Sequence, residues 1–255
     1  MPEGPEVKLF TDNVKKHFAL KKIKEVKVLS GRYTKKPIEN LHLLFNKTLT
    51  DVCCKGKFIW FHVEDIVVFN TLGMTGAWTK NKNTHTRILF EFDDGLELCF
   101  NDMRNFGTMK FVKGKHEMMK KLKSLGPDML AQDISTHTFK EALMKKPEWS
   151  IAKALMKQSL VCGVGNYIKA DSLWLAKISP KRKVKDITDV EFADLNEAIK
   201  RVMRTSYDSG GATIASYQSF DDHDTWLLLE LGLTLRLGFK IGFVGVASLY
   251  SAAGG

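Results

Sequence analysis

The chain has 255 residues, of which 44% are hydrophobic, and it carries a formal net charge of +10. This length can bury one large core or two ordinary ones, and no run of eighteen apolar residues predicts a membrane span. The excess of lysine and arginine favours a polyanionic partner, above all nucleic acid, because such binding releases counterions. No signal-peptide pattern opens the chain, so we expect an intracellular monomer with no membrane partner.

The chain begins with an unusual juxtaposition of an amine and an acid. If Met1 is removed, Pro2 becomes the N-terminal residue, and part of its secondary amine is neutral and nucleophilic at pH 7. Glu3 places a carboxyl group beside it, a pair that suits Schiff-base chemistry on a sugar or carbonyl carbon. The alternative is a proline that only stiffens the terminus. Retention of Met1 would make Pro2 an amide and would exclude this chemistry.

The periodicity of the first half predicts one helix followed by short strands. Apolar residues at three-to-four spacing predict a helix over 5–20. From 22 to 112, β-branched and aromatic runs alternate with turns, and Asp93-Asp94-Gly95 predicts a tight hairpin. Several short strands with turn signals favour a β-sandwich or barrel.

The second half changes character. Around 113–130, lysine-rich polar sequence leads to Leu125-Gly126-Pro127-Asp128, which predicts a turn and domain linker. Helical periodicity then follows, with Thr188 or Asp189 as the cap of the last helix. The predicted helices cover 138–146, 151–158, 166–177 and 188–206. Residues 225–255 are more apolar, and alternation over 234–243 predicts an amphipathic strand with one cationic face.

Four segments carry candidate DNA-binding residues. In Gly163-Val164-Gly165-Asn166, backbone N–H groups and the Asn166 amide could contact phosphate, although a plain interhelical turn is the alternative. Met74 lies at the tip of a glycine-flanked loop, and Arg104 and Phe106 share a second loop that could wedge into a base stack. Ordinary turns with a core phenylalanine are the alternative there. Lys57, just before the strongest strand, is either a phosphate or acid–base contact or an ordinary exposed lysine.

Taken together, these segments resemble the formamidopyrimidine-DNA glycosylase/endonuclease VIII family of base-excision repair enzymes. The resemblance covers about residues 1–220. The glycine of Pro2-Glu3-Gly4-Pro5-Glu6 and the Gly-Asn-Tyr step are similar to the endonuclease VIII-like branch, including members with a zincless finger. The matching motifs, in family order, are Pro2-Glu3-Gly4-Pro5-Glu6, Lys55-Gly56-Lys57, Leu72-Gly73-Met74-Thr75-Gly76, Asp102-Met103-Arg104-Asn105-Phe106-Gly107 and Gly163-Val164-Gly165-Asn166.

The resemblance implies a mechanism and a set of site residues. Pro2 would attack C1′ of a damaged nucleoside, and the resulting iminium would drive β,δ-elimination. Glu3 would protonate the sugar ring oxygen, Glu6 would organise the terminus, and Lys57 would contact phosphate and support elimination. The remaining DNA contacts would come from Met74, Arg104 and Phe106 in the space left by the flipped nucleotide, and from Gly165 and Asn166 on the backbone.

The sequence also departs from the family pattern. No cysteine lies beyond Cys162, which excludes a four-cysteine zinc finger, so we expect neither metal nor cofactor. Some relatives have a metal-free (zincless) β-hairpin with an essential arginine at its tip. The resemblance to them implies that Arg236, the only arginine beyond Arg204, is the catalytic and DNA-binding residue of such a hairpin, with Lys240 as the fallback. Thr71, Ser159 and Asn105 replace a histidine, a lysine and an arginine found in some relatives. The four cysteines (Cys53, Cys54, Cys99 and Cys162) have no metal-binding spacing and are expected to be reduced thiols.

We therefore expect an α+β protein. The predicted parts are an N-terminal catalytic β-sandwich domain over 1–122, a helical helix–two-turns–helix DNA-binding domain over 131–220, and a possible zincless β-hairpin or tail over 221–255. The expected activity is a bifunctional DNA glycosylase and AP lyase acting on damaged DNA, with oxidised pyrimidines favoured. A non-catalytic nucleic-acid-binding protein is the main alternative, and a small-molecule enzyme with N-terminal proline as general base is a weaker one.

Overall fold

The computed structural model describes residues 1–211, apart from the side chains of Lys113 and Lys115. Eight strands and seven α-helices, with two short 3-10 helices at Leu41–Leu44 and Val184–Asp186, form this part. The strands are β1 Ile23–Val28, β2 Leu49–Lys55, β3 Phe58–Val63, β4 Ile66–Thr71, β5 Gly76–Thr79, β6 Thr86–Phe92, β7 Glu97–Asp102 and β8 Thr108–Lys113. The helices are α1 Gly4–Phe18, α2 Arg32–Lys35, α3 Lys115–Lys123, α4 Thr136–Met144, α5 Ile151–Leu155, α6 Asn166–Leu175 and α7 Asp189–Asp208.

The strands form two antiparallel four-stranded sheets, in the orders β1-β6-β7-β5 and β2-β3-β4-β8. Trp78 is fully buried in the core between them, with ring centroids 5.0 Å from both Phe61 and Phe100. Its indole Nε1 donates to the Asn70 side chain at 3.0 Å, which satisfies the polar end of the ring. The β-sandwich predicted from the alternating runs is confirmed, and so is the hairpin turn between β6 and β7.

Helix α1 packs one apolar stripe on this sandwich. Val7, Phe10, Val14 and Phe18 recur at three-to-four spacing and are almost completely buried in the same core. Pro5 lies in the first turn, where its missing N–H costs nothing, and the backbone N–H of Glu3 donates to the Glu6 carboxylate at 2.8 Å. The predicted first helix is therefore confirmed, and its start is fixed by acidic residues.

The helices after residue 130 enclose a second core. Phe139, Leu155, Ile168, Phe192 and Ile199 are among its fully or almost fully buried members. The caps at Ser135 and Ser150 accept hydrogen bonds from backbone N–H groups, and the predicted capping box of Thr188 with Glu191 begins α7. The α+β fold with a helical second half is confirmed, although α5 ends earlier than predicted.

One helix was not predicted from the sequence. Residues 115–123, in the lysine-rich stretch before the turn at 125–128, form helix α3. Met118, Leu122 and Leu125 pack on Phe58 and Trp60, on the sheet face that lies away from the main core. A short helix with so few apolar residues gives a weak periodic signal, and it gains stability from the sheet that it covers. Within residues 1–211, no helix is both long and apolar enough to cross a membrane.

Candidate active site and nucleic-acid interface

Three distant segments meet at the start of α1. The N–H of Gly4 donates to the Gly163 carbonyl at 2.9 Å, and the N–H of Gly56 donates to the Asp128 carboxylate at 2.8 Å. A side chain would not fit at Gly56, where an added Cβ would lie 2.6 Å from the Gly163 nitrogen and φ is +56°. Gly4, Gly56 and Gly163 come from three sequence motifs, and all three allow the backbones of these segments to approach one another closely.

Glu3 caps the N-terminus of α6. Its carboxylate accepts hydrogen bonds from the backbone N–H of Tyr167 at 3.0 Å and of Ile168 at 3.4 Å. The side chain is buried, and burial raises the pKa of Glu3, while the charge of Lys57 and the N–H donors oppose that rise. A carboxyl group with a raised pKa retains its proton to higher pH, which suits a general acid.

Lys57 and Glu3 pack on the same backbone. A Cβ added at Gly165 would lie 2.1 Å from the Glu3 carboxyl carbon and 2.4 Å from Lys57 Nζ. Burial lowers the pKa of Lys57, and the nearby carboxylates of Glu3 and Glu6 oppose that fall. The lack of a side chain at Gly165 thus leaves room for Glu3 and Lys57 to lie side by side at the N-terminus of α6.

Glu6 is completely buried and links three helices. Its carboxylate accepts hydrogen bonds from the Glu3 N–H, the Tyr167 hydroxyl at 2.9 Å and the Ser206 hydroxyl at 3.2 Å. Burial and the neighbouring Glu6 raise the pKa of Tyr167, so its phenol remains a donor. We call the group of Glu3, Glu6, Lys57, Gly165 and Tyr167 the junction.

The edge of the junction remains open to solvent. Pro2 is partly exposed and directly precedes the buried Glu3. Asn166, the first residue of α6, is exposed and accepts a hydrogen bond from Lys169 Nζ at 3.1 Å. Glu3 already accepts hydrogen bonds from two N–H groups in the first turn of α6. A DNA phosphate at this helix end would therefore have to bind to Asn166, the first residue of the helix.

Strand register places the two candidate loops at the same end of the sheet as Lys57. Ile59 of β3 pairs with Asn70 of β4, and Thr71 pairs with Thr108 of β8. The beginning of β3, the end of β4 and the beginning of β8 therefore lie together. Residues 72–76 leave β4 and residues 101–107 lead into β8, and we call these two segments the paired loops.

Hydrogen bonds lock the paired loops to each other. The buried Asp102 carboxylate accepts from the Thr75 hydroxyl at 2.6 Å and from the Gly107 N–H at 2.7 Å. The Thr75 hydroxyl oxygen in turn accepts from the Arg104 N–H at 2.9 Å. Gly73 has φ +65°, and an added Cβ would lie 2.7 Å from the Gly107 nitrogen.

Four side chains of the paired loops are exposed to solvent, namely those of Met74, Met103, Arg104 and Phe106. Met74 is 38% exposed and Phe106 is 52% exposed, so Phe106 is not a core residue. The Arg104 guanidinium lies 4.9 Å from the centroid of the Phe106 ring, a cation–π contact. Met103, which the sequence did not single out, is also 55% exposed on this surface. A rigid backbone thus presents apolar and cationic groups that nothing in residues 1–211 covers.

Other predicted features have mixed outcomes. Arg236 and the predicted hairpin of 221–255 lie outside the described residues. Among residues 1–211, no group of three or more His, Cys, Asp or Glu side chains is placed to hold a metal ion. All four cysteines are free, as expected, and burial raises the pKa of Cys54 to about 12 and of Cys99 to about 11, so these thiols are poorly reactive.

Sequence reasoning missed the residues that hold the functional groups in place. Tyr167, Ser206, Thr75 and Asp102 carry no chemistry that a motif would reveal. Thr75 and Asp102 lie within predicted motifs and Tyr167 directly follows one, which is the signal that could have identified these three. Ser206 is 200 residues from its Glu6 partner, and no local pattern reports that contact.

Comparison with known proteins agrees with this geometry. The formamidopyrimidine-DNA glycosylase N-terminal domain profile matches residues 1–109, and the family's H2TH domain profile matches residues 125–218. The formamidopyrimidine-DNA glycosylase of Ligilactobacillus salivarius is 31% identical over 246 residues, which cover 93% of this chain and 89% of the relative. That of Cytobacillus firmus is 32% identical over 264 residues, covering 100% and 96%.

Solved structures show the same fold. The MutM (Fpg) protein of Thermus thermophilus superposes with a TM-score of 0.77 at 26% identity, covering 87% of this chain and 83% of that one. A Lactococcus lactis Fpg mutant in complex with Fapy-dG-containing DNA gives a TM-score of 0.75 at 25% identity, covering 86% and 83%. By sequence, by both domain profiles and by fold, this chain belongs to the formamidopyrimidine-DNA glycosylase family.

Proposed function

We propose that this base-excision-repair DNA glycosylase and AP lyase forms its covalent intermediate through Pro2. The observation that carries the proposal is the position of Glu3. Its buried carboxyl group, with a raised pKa, lies beside Lys57 at the N-terminus of α6, and the partly exposed Pro2 precedes it directly. An amine, an acid and a cation are thus gathered where a DNA sugar and its phosphates can reach them.

The reaction follows from these groups. After removal of Met1, the Pro2 amine attacks C1′, the damaged base departs with the glycosidic bonding electrons, and Glu3 protonates the ring oxygen as the sugar opens. The iminium that forms makes the 2′ proton acidic. Loss of that proton expels the 3′ phosphate in β-elimination, and a second elimination expels the 5′ phosphate. Hydrolysis of the iminium then frees Pro2.

The remaining site residues are proposed to bind damaged DNA. Lys57 and Asn166 contact backbone phosphate at the N-terminus of α6. This helix end is accessible because Gly165 has no side chain. Met74, Arg104 and Phe106 fill the space left by the flipped nucleotide, since all three are presented by the paired loops. The phosphate contacts position the DNA, whereas the contacts of Met74, Arg104 and Phe106 respond to the lesion.

The lesion and the branch of the family are finer proposals. We propose oxidised pyrimidines as favoured substrates and an endonuclease VIII-like, zincless organisation, with Arg236 at the tip of a hairpin within 221–255. The support is the resemblance of the N-terminal and Gly-Asn-Tyr motifs, whereas the relatives from Ligilactobacillus salivarius and Cytobacillus firmus carry the formamidopyrimidine-DNA glycosylase name. Excision of thymine glycol and of a formamidopyrimidine in competition would decide between the two preferences.

The domain division is also proposed. Two separate cores, over residues 7–109 and 129–203, support a catalytic domain over 1–122 and a DNA-binding domain over 131–220. We propose that the protein acts as a monomer inside the cell, where its DNA substrate resides.

Borohydride trapping tests the chemistry. Wild-type protein should become covalently attached to abasic or thymine-glycol DNA, and intact-mass spectrometry should show loss of Met1 together with the added DNA. Pro2→Gly should trap poorly, and a variant with a blocked N-terminus should not trap at all. Trapping that persists in the blocked variant would refute the Pro2 assignment. DNA binding without any trapping by the wild type would leave only the non-catalytic binder.

A further inference from the structure

Tyr167 contacts both carboxylates of the junction. We propose that it is a positioning residue that holds Glu3 and Glu6 in a fixed relation to each other. The inference rests on the proposed function, since it assigns the reason why the acid Glu3 is correctly placed. Tyr167 belongs to the helical half of the molecule, whereas both carboxylates belong to the start of the first helix.

The contacts form a closed ring. The Tyr167 N–H donates to the Glu3 carboxylate at 3.0 Å, and its hydroxyl donates to the Glu6 carboxylate at 2.9 Å. The Glu6 carboxylate also accepts from the Glu3 N–H at 2.8 Å, which completes the circuit. Each member is therefore held at two points, and moving one carboxylate would strain both other contacts.

A tyrosine is well suited to this position. Its N–H is fixed because Tyr167 is the second residue of α6, and its hydroxyl is separated from that N–H by a rigid ring. The Ser206 hydroxyl lies 3.0 Å from the Tyr167 oxygen and donates to Glu6, so α7 supports the same corner. Phenylalanine would retain the ring and the N–H but would leave Glu6 with one donor fewer.

The effect of losing the Tyr167 hydroxyl depends on the charged groups around this ring of hydrogen bonds. Glu3 and Glu6 face Tyr167 from α1, Lys57 faces Glu3 from the turn before β3, and Lys169 faces Lys57 from α6. The two carboxylates repel each other, and the donors of Tyr167 oppose that repulsion. Without the hydroxyl, we expect Glu6 to shift, and the Glu3 backbone that is bonded to it to shift as well.

The expected defect is selective. Glu3 must reach the sugar ring oxygen during base departure, so a shift of its carboxyl group should lower kcat for excision. DNA binding depends on other groups, so KM should change little. An abasic site has already lost its base, and its cleavage should therefore suffer less than excision from the same duplex.

The test uses two matched substitutions. Tyr167→Phe is compared with Tyr207→Phe, because the Tyr207 hydroxyl also donates to a carboxylate of α1, that of Asp12 at 2.7 Å, but does not touch the junction. We expect Tyr167→Phe to lower single-turnover excision about 10-fold or more, with KM within about twofold of wild type. Tyr207→Phe should stay within about twofold on both measures.

The outcomes separate this inference from the proposed function. Equal activity in Tyr167→Phe and wild type, or an equal loss in both tyrosine variants, would overturn the positioning role, and the proposed function would stand as long as Pro2→Gly still traps poorly. If wild type itself neither excises nor traps, the proposed function fails. Should Tyr167→Phe not fold by circular dichroism, Ser206→Ala, which removes the second hydroxyl donor of Glu6, replaces it. A drop of about threefold in excision rate, with abasic-site cleavage retained, would support the inference, and no change would overturn it.

Discussion

The junction and the paired loops are both held in place by buried hydrogen bonds, but their functional side chains are buried in the junction and exposed in the paired loops. In the junction, the functional carboxylates are buried and are held by hydrogen bonds from segments more than 160 residues apart in sequence. In the paired loops, the backbone is held by the buried Asp102, but Met74 and Phe106 extend into solvent. Both sites are therefore rigid in their supports and differ in where the functional atoms lie.

The difference agrees with the role proposed for each site. Burial shifts the pKa of Glu3 and of Lys57, which suits the proposed reaction at C1′. Filling a vacancy in a DNA stack needs exposed apolar surface instead, and a fixed backbone keeps that surface from collapsing onto the protein. Errors of geometry should therefore be most damaging in the junction, and the following predictions test that ranking.

The largest effect is expected from Gly165→Ala. The added Cβ would collide with the Glu3 carboxyl group and with Lys57 Nζ, so both must move. Because a displacement of about 1 Å can cost about 100-fold in rate, excision and trapping should fall by at least that much. Gly95→Ala is the control, since its Cβ meets nothing within 4 Å and the cost is only strain at φ +82°. Similar excision rates in the two variants would contradict this packing.

Asp102→Ala should release the paired loops. It leaves the Thr75 hydroxyl and the Gly107 N–H without their acceptor, at a cost of about 2 kcal/mol in the free energy of unfolding. Thermal melting should show the loss of stability, and excision from duplex DNA should fall about 10-fold because the wedge is no longer fixed. Asp94→Ala, at an exposed turn, should change neither quantity measurably.

Phe106→Ala should affect recognition without affecting stability. The ring is half exposed, so melting should change little, whereas loss of stacking of about 1 kcal/mol should slow excision from duplex DNA about fivefold. Single-stranded lesions offer no orphaned base and should be less affected. Leu20→Ala, at an exposed site outside the loops, is the control. An equal effect on single and double strands would contradict a vacancy-filling role.

Lys57→Arg should change mainly the pH dependence of binding. Burial lowers the pKa of Lys57, so its charge is lost at a lower pH than that of an ordinary lysine, whereas arginine remains charged. Below that pKa, the two proteins should bind abasic-site DNA within about threefold of each other, and above it the arginine variant should bind more tightly. Fluorescence anisotropy across pH measures this, with the exposed Lys16→Arg as control. Parallel binding curves for wild type and Lys57→Arg would argue against a phosphate contact by Lys57.

Several features could be predicted from the amino-acid sequence because their causes are local. Apolar spacing predicted α1 and the strands, and Thr188 with Glu191 predicted the start of α7. The glycine and proline motifs carried the family resemblance, and with it the candidate roles of Pro2, Glu3 and Lys57. Helix α3 was missed because its stability comes from the sheet beneath it rather than from its own periodicity.

Only the tertiary structure decided how these residues act together. Sequence motifs list Glu3, Glu6, Lys57 and Gly165, but the pKa shifts depend on their mutual burial, which no segment has by itself. The hydrogen bonds of Tyr167 to both carboxylates, and of Asp102 across the two loops, join residues that are distant in the chain. A local sequence pattern reflects only interactions between residues that are near in the chain. A catalytic site, by contrast, is a set of long-range contacts that exists only once both cores have formed.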